Sequence, residues 1–178
     1  MNAKSVPIVV LALAMASHVV PCHASGANET LFSAAAGVVR ANGDDAGGWS
    51  WAFQVTAEHL LKESPMFIMV RSVVGATGLP SDVGRDGNCA YAKADLVIGD
   101  LFQGIGGVGV YHLHAPFNSS NDATLDWGAS AGGRFIVPYH HGSTAIFGEL
   151  VVHRIFADEP VNLVAVTAGF TWPRHGSP

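Results

Sequence analysis

The residues best equipped for chemistry in this 178-residue chain are histidines and the polar groups beside them. His112 and His114 share one face of an extended segment, and His140-His141 forms a doublet. Imidazole pairs invite a metal ion, yet a firm zinc site needs three or four converging ligands. The doublet falls in a turn at the opposite rim from His112 and His114 in the strand arrangement set out below. The spacing therefore predicts polar interfacial histidines and no metal. His141-Gly142-Ser143 sets a hydroxyl two residues from a base, with Glu149 as nominal orienting group. A catalytic serine needs that base within hydrogen-bonding reach and a third group holding it, a geometry that neighbours in one turn rarely reach. The run Gly104 to Gly109 (GIGGVG) has the look of a phosphate-binding loop, but no helix follows it, so the dinucleotide reading fails. Trp49 and Trp51 are spaced to stack on a ligand or to stand in the aromatic girdle of a membrane wall. Asn118-Ser119-Ser120 has the form of a glycosylation acceptor. These residues predict no catalytic site, no cofactor and no metal.

The elements that must position them begin after an export signal. Lys4 supplies a positive start, Ile8 to Ala16 an apolar run too short to span a bilayer, and Pro21-Cys22-His23-Ala24 a cleavage region. The expected cut follows Ala24, giving a signal peptide at 1–24 and one domain at 25–178. A lipid-modified Cys22 is the competing reading, and Pro21 fits it poorly. Loss of Lys4, with no acid in the same segment, takes the net charge from −5 to −6. It also leaves Cys89 without an intramolecular partner, so Cys89 reads as a small apolar filler.

Composition narrows the class. The chain is 49% hydrophobic and 13% charged, about half the usual share of charge, with 21 glycines. An acidic balance argues against nucleic acid, which is met by a basic face. Mean hydropathy is +0.31, high for a water-soluble chain, yet no run of about 18 apolar residues exists to make a membrane helix.

The pattern that reconciles these facts is period two. Eight segments of strand length, each bounded by Gly, Pro, Asn or Asp, fall near 31–41, 48–59, 66–76, 89–98, 105–114, 126–137, 144–156 and 161–172. In the second, Trp49, Trp51, Phe53, Val55 and Ala57 oppose Ser50, Ala52, Gln54, Thr56 and Glu58. In the fourth, Ala90, Ala92, Ala94, Leu96 and Ile98 oppose Tyr91, Lys93, Asp95 and Val97. In the sixth, Trp127, Ala129, Ala131, Phe135 and Val137 oppose Gly128, Ser130, Gly132, Arg134 and Ile136. The last sets Val164, Val166, Ala168, Phe170 and Trp172 against Leu163, Ala165, Thr167, Gly169 and Thr171. Connections after segments two, four and six are short. Those after one, three and five (NGDDAG, TGLPSDVGRDGN and HAPFNSSNDATLD) are mostly longer and polar, the rhythm of an up-and-down membrane barrel. The last connection, ADEP, is short and departs from it.

Charge decides which barrel. A soluble ligand-binding barrel has an apolar lumen and a polar outer wall, and a membrane barrel inverts this. With Asp126, at the edge of the sixth segment, counted to the preceding loop, only Arg40, Glu58, Arg71, Lys93, Asp95, Arg134, Glu149 and Arg154 fall in the predicted strands. A water-facing wall of eight strands needs far more. Glu58, Arg71, Lys93, Asp95, Arg134 and Glu149 sit on the less apolar face, three acids and three bases whose balance permits mutual pairing in a narrow lumen. Gly107, Gly109, Gly128, Gly132 and Gly169 suit the same tight interior. The predicted fold is an all-β, eight-stranded antiparallel up-and-down transmembrane β-barrel. Trp49, Trp51, Trp127, Phe170 and Trp172 form its expected girdle.

The ending carries a likeness to a known family. Gly148 to Phe156 (GELVVHRIF), then Asn162 to Trp172 (NLVAVTAGFTW), resembles the last hairpin of the outer-membrane β-barrel domain family. There a Glu-bearing strand precedes one closing in Val-x-x-Gly-Phe-x-aromatic. Together with the signal peptide and the inverted pattern, the chain resembles small eight-stranded outer-membrane proteins of the OmpA/OmpX type. Such proteins commonly end on the aromatic residue, whereas Pro173 to Pro178 follow Trp172 here. The resemblance implies a monomer in the bacterial outer membrane, touching outer-membrane lipid and lipopolysaccharide, with a structural, adhesive or protective role and no open pore. Two other readings stay open on the sequence. One is a soluble periplasmic barrel holding an apolar ligand, and the other a lipid A deacylase-like barrel using His141, Ser143 and Glu149.

Overall fold

Alternating apolar and polar residues can bury only one face of a strand, and eight such strands in series have no helix to pack against. The sheet therefore closes on itself. A computed structural model describes residues 30–43, 46–62, 67–79, 87–114, 123–138, 144–158 and 160–173. The expected signal peptide, His140, His141, Gly142, Ser143, the Asn118-Ser119-Ser120 triplet and residues 174–178 lie outside them.

The strands are β1 (Thr30–Gly43), β2 (Ala46–Lys62), β3 (Phe67–Leu79), β4 (Gly87–Gly99), β5 (Phe102–His114), β6 (Thr124–Pro138), β7 (Ala145–Ile155) and β8 (Val161–Pro173). Each pairs antiparallel with the next, and β8 returns to β1 to close the barrel. The register runs smoothly except for one irregularity in β2 between Leu60 and Lys62.

Several boundaries differ from the sequence expectation by one to three residues: β2 ends at Lys62, β3 at Leu79, and β5 starts at Phe102, which brings Gln103 into the wall. The first connection was expected to be a longer polar loop, but pairing continues through Asn42↔Gly47 and Gly43↔Ala46, so only residues 44–45 separate β1 from β2. Gly48, with a φ of 129°, adopts a backbone conformation there that side chains disfavour. β6 also starts at Thr124, two residues early, which adds Thr124 and Leu125 to the wall and puts Asp126 inside the strand rather than at its edge. There Asp126 accepts a 2.6 Å bond from the Thr124 hydroxyl.

The faces alternate along the strands, with β3 departing at Ser72 and Gly78, which are buried on the outward parity. Along β4, Cys89, Tyr91, Lys93, Asp95 and Val97 are buried, while Leu96 and Ile98 are exposed. Along β7, Phe147, Glu149, Val151, His153 and Ile155 are buried, and Ile146, Leu150 and Val152 are exposed. The lumen is layered. An apolar cluster including Val39, Leu79, Cys89, Tyr111, Ile155 and Leu163 fills the end away from the termini. A smaller one of Met69, Val97, Ile105 and Val151 lies toward the other end. The polar groups lie among and between them. Beyond the smaller cluster, a vestibule of about 270 Å³ opens at the terminal end, with Glu58, Gln103 and Arg134 among its walls.

Glycine makes room for this filling. A methyl group on Gly75 would overlap the Tyr91 ring, and one on Gly107 would overlap Asp95 Oδ1. Gly107 and Asp95 are register partners, so the glycine is the space into which the carboxylate leans. Gly106, one residue away, faces outward, and a methyl group there would meet nothing within 4 Å. The GIGGVG run is thus two faces of one strand, with Gly107 and Gly109 toward the lumen and Gly104 and Gly106 away from it.

Gly107→Leu should lower stability by about 1–3 kcal/mol through overpacking. Gly106→Leu should leave it unchanged or raised. Denaturant unfolding in detergent measures both, and equal losses would contradict the assigned faces.

Candidate functional site in the barrel lumen

Six charged side chains converge in the lumen, supplied by five strands: Glu58 from β2, Arg71 from β3, Lys93 and Asp95 from β4, Arg134 from β6 and Glu149 from β7. Arg71 is completely buried. Its Nε and Nη2 donate to Asp95 Oδ2 at 3.0 and 2.7 Å, and its Nη1 donates to Glu149 Oε2 at 2.5 Å. Lys93 donates to both Asp95 oxygens at 3.1 and 2.8 Å and to the Ser130 hydroxyl at 3.2 Å. Arg134 forms a two-pronged pair with Glu58 at 2.5 and 2.7 Å, while its Nε donates to Gln103 at 2.8 Å. Its guanidinium also lies 5.2 Å from the centre of the Phe147 ring. Two charged groups result: Arg71 and Lys93 against Asp95 and Glu149, and Arg134 against Glu58. Each is neutral.

The partners are not those that strand register alone suggests. Glu58 stands directly opposite Arg71, and Arg134 opposite Glu149, across neighbouring strands. Yet the ion pairs join Glu58 to Arg134 and Arg71 to Glu149. In a closed ring of eight, β2 and β6 are diametrically opposed, as are β3 and β7. The charges therefore bridge the lumen from wall to wall. Only Arg71–Asp95 follows the register across adjacent strands.

Neutral residues complete the bonding. Gln54 donates to Glu149 Oε1 at 3.0 Å and accepts from the Tyr91 hydroxyl at 3.4 Å. Ser33 and Thr56 bond each other and both reach Glu58. Nearer the end away from the termini, Tyr111 shares a 2.9 Å hydrogen bond with His153 Nδ1, and Tyr91 stacks at 5.6 Å from Tyr111. Among the described residues, no buried side-chain nitrogen or oxygen lacks a partner. Alternation in the sequence puts Gln54, Thr56, Tyr91 and Ser130 on inward faces without assigning them roles. Ser33, Gln103, Tyr111 and His153 were not anticipated. Parity with Glu149 was the available signal for His153, four residues along the same strand.

The other candidates lie elsewhere. His112 and His114 alternate outward on β5, near the end away from the termini, and the described residues contain no group of three metal-ligating side chains. Cys89 is buried and unpaired in the larger apolar cluster. Glu149, the nominal orienting carboxylate for Ser143, has both oxygens occupied by Arg71 and Gln54. Trp49, Trp51, Trp127, Phe170 and Trp172 all point outward, from 39% exposed at Trp172 to 68% at Trp127. Trp172 neighbours Phe32 on β1, and Trp49 neighbours Arg40 on the same strand. Eight residues of tilted strand between those rows rise roughly 20 Å, close to the ~25 Å apolar band of a membrane barrel.

Removing one member of a wall-to-wall pair strands a buried charge. Arg134→Leu should lower stability by about 3–5 kcal/mol, and adding Glu58→Leu should recover much of that loss. Unfolding midpoints in detergent measure both. An unchanged midpoint for Arg134→Leu would refute the pairing.

No protein-family model and no curated protein matches the sequence. Solved structures do match. The N-terminal β-barrel domain of Pseudomonas aeruginosa OprF is similar over 82% of this chain and 98% of that one, with TM-score 0.55 and 12% identity. Ail, the attachment invasion locus protein of Yersinia pestis, is similar over 83% of this chain and all of that one, with TM-score 0.50 and 14% identity. Neisserial surface protein A is similar over 80% and 95% of the respective chains, with TM-score 0.50 and 9% identity. The chain has the fold of the small eight-stranded outer-membrane β-barrels.

Proposed function

We propose that this is a non-enzymatic protein of the bacterial outer membrane, exported by cleavage of residues 1–24. It stands as a monomer among outer-membrane lipid and lipopolysaccharide, in a structural, adhesive or protective surface role. One observation carries the reading, the inverted polarity of the barrel. Large apolar side chains such as Val108, Leu125, Leu150 and Phe170 stand exposed on the outer wall, while Arg71, Lys93, Asp95 and Glu149 are buried within. In water that arrangement would expose a continuous apolar surface far larger than monomeric soluble proteins tolerate. In a bilayer it is the stable one, because closure satisfies every ladder hydrogen bond and the apolar wall meets lipid.

The rival readings fit less well. A soluble carrier needs an empty apolar lumen, and here the lumen holds side chains that already satisfy one another. A lipid-cleaving enzyme needs a free carboxylate to orient its histidine, and Glu149 is engaged by Arg71 and Gln54. A side-chain-filled lumen also supports a role without an open pore. With both termini periplasmic, the connections after β1, β3, β5 and β7 face the exterior.

The protein should be recovered with the membrane fraction and released only by detergent. Unheated and boiled samples should migrate differently on gels. Recovery in a detergent-free periplasmic extract, with no heat-dependent shift, would sink this reading.

A further inference from the structure

Two strand cations take no part in the lumen network. Arg40 on β1 and Arg154 on β7 both point outward and are exposed, and among the described residues neither forms an ion pair. A charged side chain on the lipid-facing wall is costly at mid-bilayer and becomes tolerable only near an interface. Both lie toward the end away from the termini, Arg40 level with Trp49 and Arg154 one residue from the end of β7. They flank β8 from its two sides. Arg40 is level with Val164, while Arg154 is level with Asn162, whose own partner on β1 is Asn42. Two strand spacings of ~4.8 Å and a two-residue offset of ~6.6 Å separate the arginine Cα atoms by roughly 12 Å. Long side chains from that separation can converge on one group. Arg154 Nη1 already leans toward this strip, donating to Asn162 Oδ1 at 3.3 Å.

We propose that Arg40 and Arg154, with Asn42 and Asn162 between them, form a headgroup site for a phosphorylated lipid of the outer leaflet. The inference deepens the reading of the chain as an outer-membrane barrel and rests on it. The site's chemistry is specific. Guanidinium groups grip phosphate oxygens in two-pronged, charge-assisted bonds, and the amides add neutral donors. Trp49 beside Arg40 is exposed and aromatic, suited to the boundary between headgroups and acyl chains. Below the arginines the wall turns apolar through Val38, Val152 and Val166, which acyl chains of the same lipid would cover. Asp158, in the connection beyond β7, is exposed and forms no ion pair with either arginine. The occupant is therefore an anionic amphiphile rather than a free anion, because cations and apolar wall are contiguous.

Native mass spectrometry of the detergent-solubilised full chain tests this with three probes: bisphosphorylated lipid A, the same lipid stripped of phosphate, and inorganic phosphate. The wild type should retain the bisphosphorylated lipid. It should release the stripped lipid, and inorganic phosphate should not displace the bound lipid at equal concentration. Each Arg→Gln change should weaken retention roughly tenfold, so R40Q/R154Q should lose about a hundredfold. R40K/R154K, which keeps charge but not the planar fork, should fall between. Heat-dependent gel migration checks that each variant is folded. Equal retention by the double Gln variant, equal retention of stripped lipid, or displacement by inorganic phosphate would overturn the site. A membrane-embedded wild type giving any of those results overturns the site alone. A wild type found in the soluble extract overturns the membrane reading together with it.

Discussion

Everything in this molecule depends on the seam where β8 meets β1, from Leu31↔Pro173 to Asn42↔Asn162. Without it the sheet has two open edges whose amides and carbonyls have nothing to bond in lipid, and each such group costs several kcal/mol there. With it, every strand is flanked on both sides and the sheet has a single inside. The side-chain period of two then gains absolute meaning. A slip of one residue in any strand would turn its lumen charges onto the outer wall and its valines into the lumen. Register, polarity and closure are one constraint seen three ways.

The interior divides its labour along the axis. Apolar packing fills the end away from the termini, where Tyr91 and Tyr111 occupy space left by Gly75 and Gly128. The Arg71, Lys93, Asp95 and Glu149 charges are placed deeper in the lumen, while the Arg134–Glu58 pair borders the vestibule at the terminal end. Low dielectric strengthens each pair, but it also makes any unmatched charge expensive. That is why Asp95 takes two cations while Arg71 takes two anions. Neutrality is reached only by the cluster as a whole. The small polar residues around it settle the remaining lone pairs, so their role is satisfaction of bonding rather than added charge.

The strands and their faces were legible in the sequence because period two is a local signal. Alternation over Trp49 to Glu58 states both the element and its orientation without reference to anything distant. Boundaries at polar turns were harder. Asn42-Gly43 and Ala46-Gly47 carry turn-forming residues, yet they continue the ladder because a two-residue link suffices between antiparallel strands. The lumen residues were legible as a set, since a charge in the middle of an otherwise apolar strand has to point away from lipid. Their pairing was not. Local reasoning favours Glu58 with Arg71 and Glu149 with Arg134, because those residues stand side by side on adjacent strands. The observed partners are separated by 76 and 78 residues, and only the curvature of a finished ring brings them together. The roles of Gln54, Gln103 and Ser130 were invisible for a related reason. A neutral polar residue facing inward looks the same in sequence whether it fills space or completes a bond.

The diametric bridges bear on how such a wall could come into being. A growing sheet of a few strands would carry Glu58 and Arg71 side by side, a provisional pair available from the first hairpins. Asp95 and Lys93 would join them as β4 docked. Arg134 and Glu149 would arrive as a second provisional pair on a distant part of the ribbon. Curling such a ribbon would exchange these register neighbours for the bridges across the bore. The same six residues thus provide one neutral arrangement for an open sheet and another for the closed cylinder.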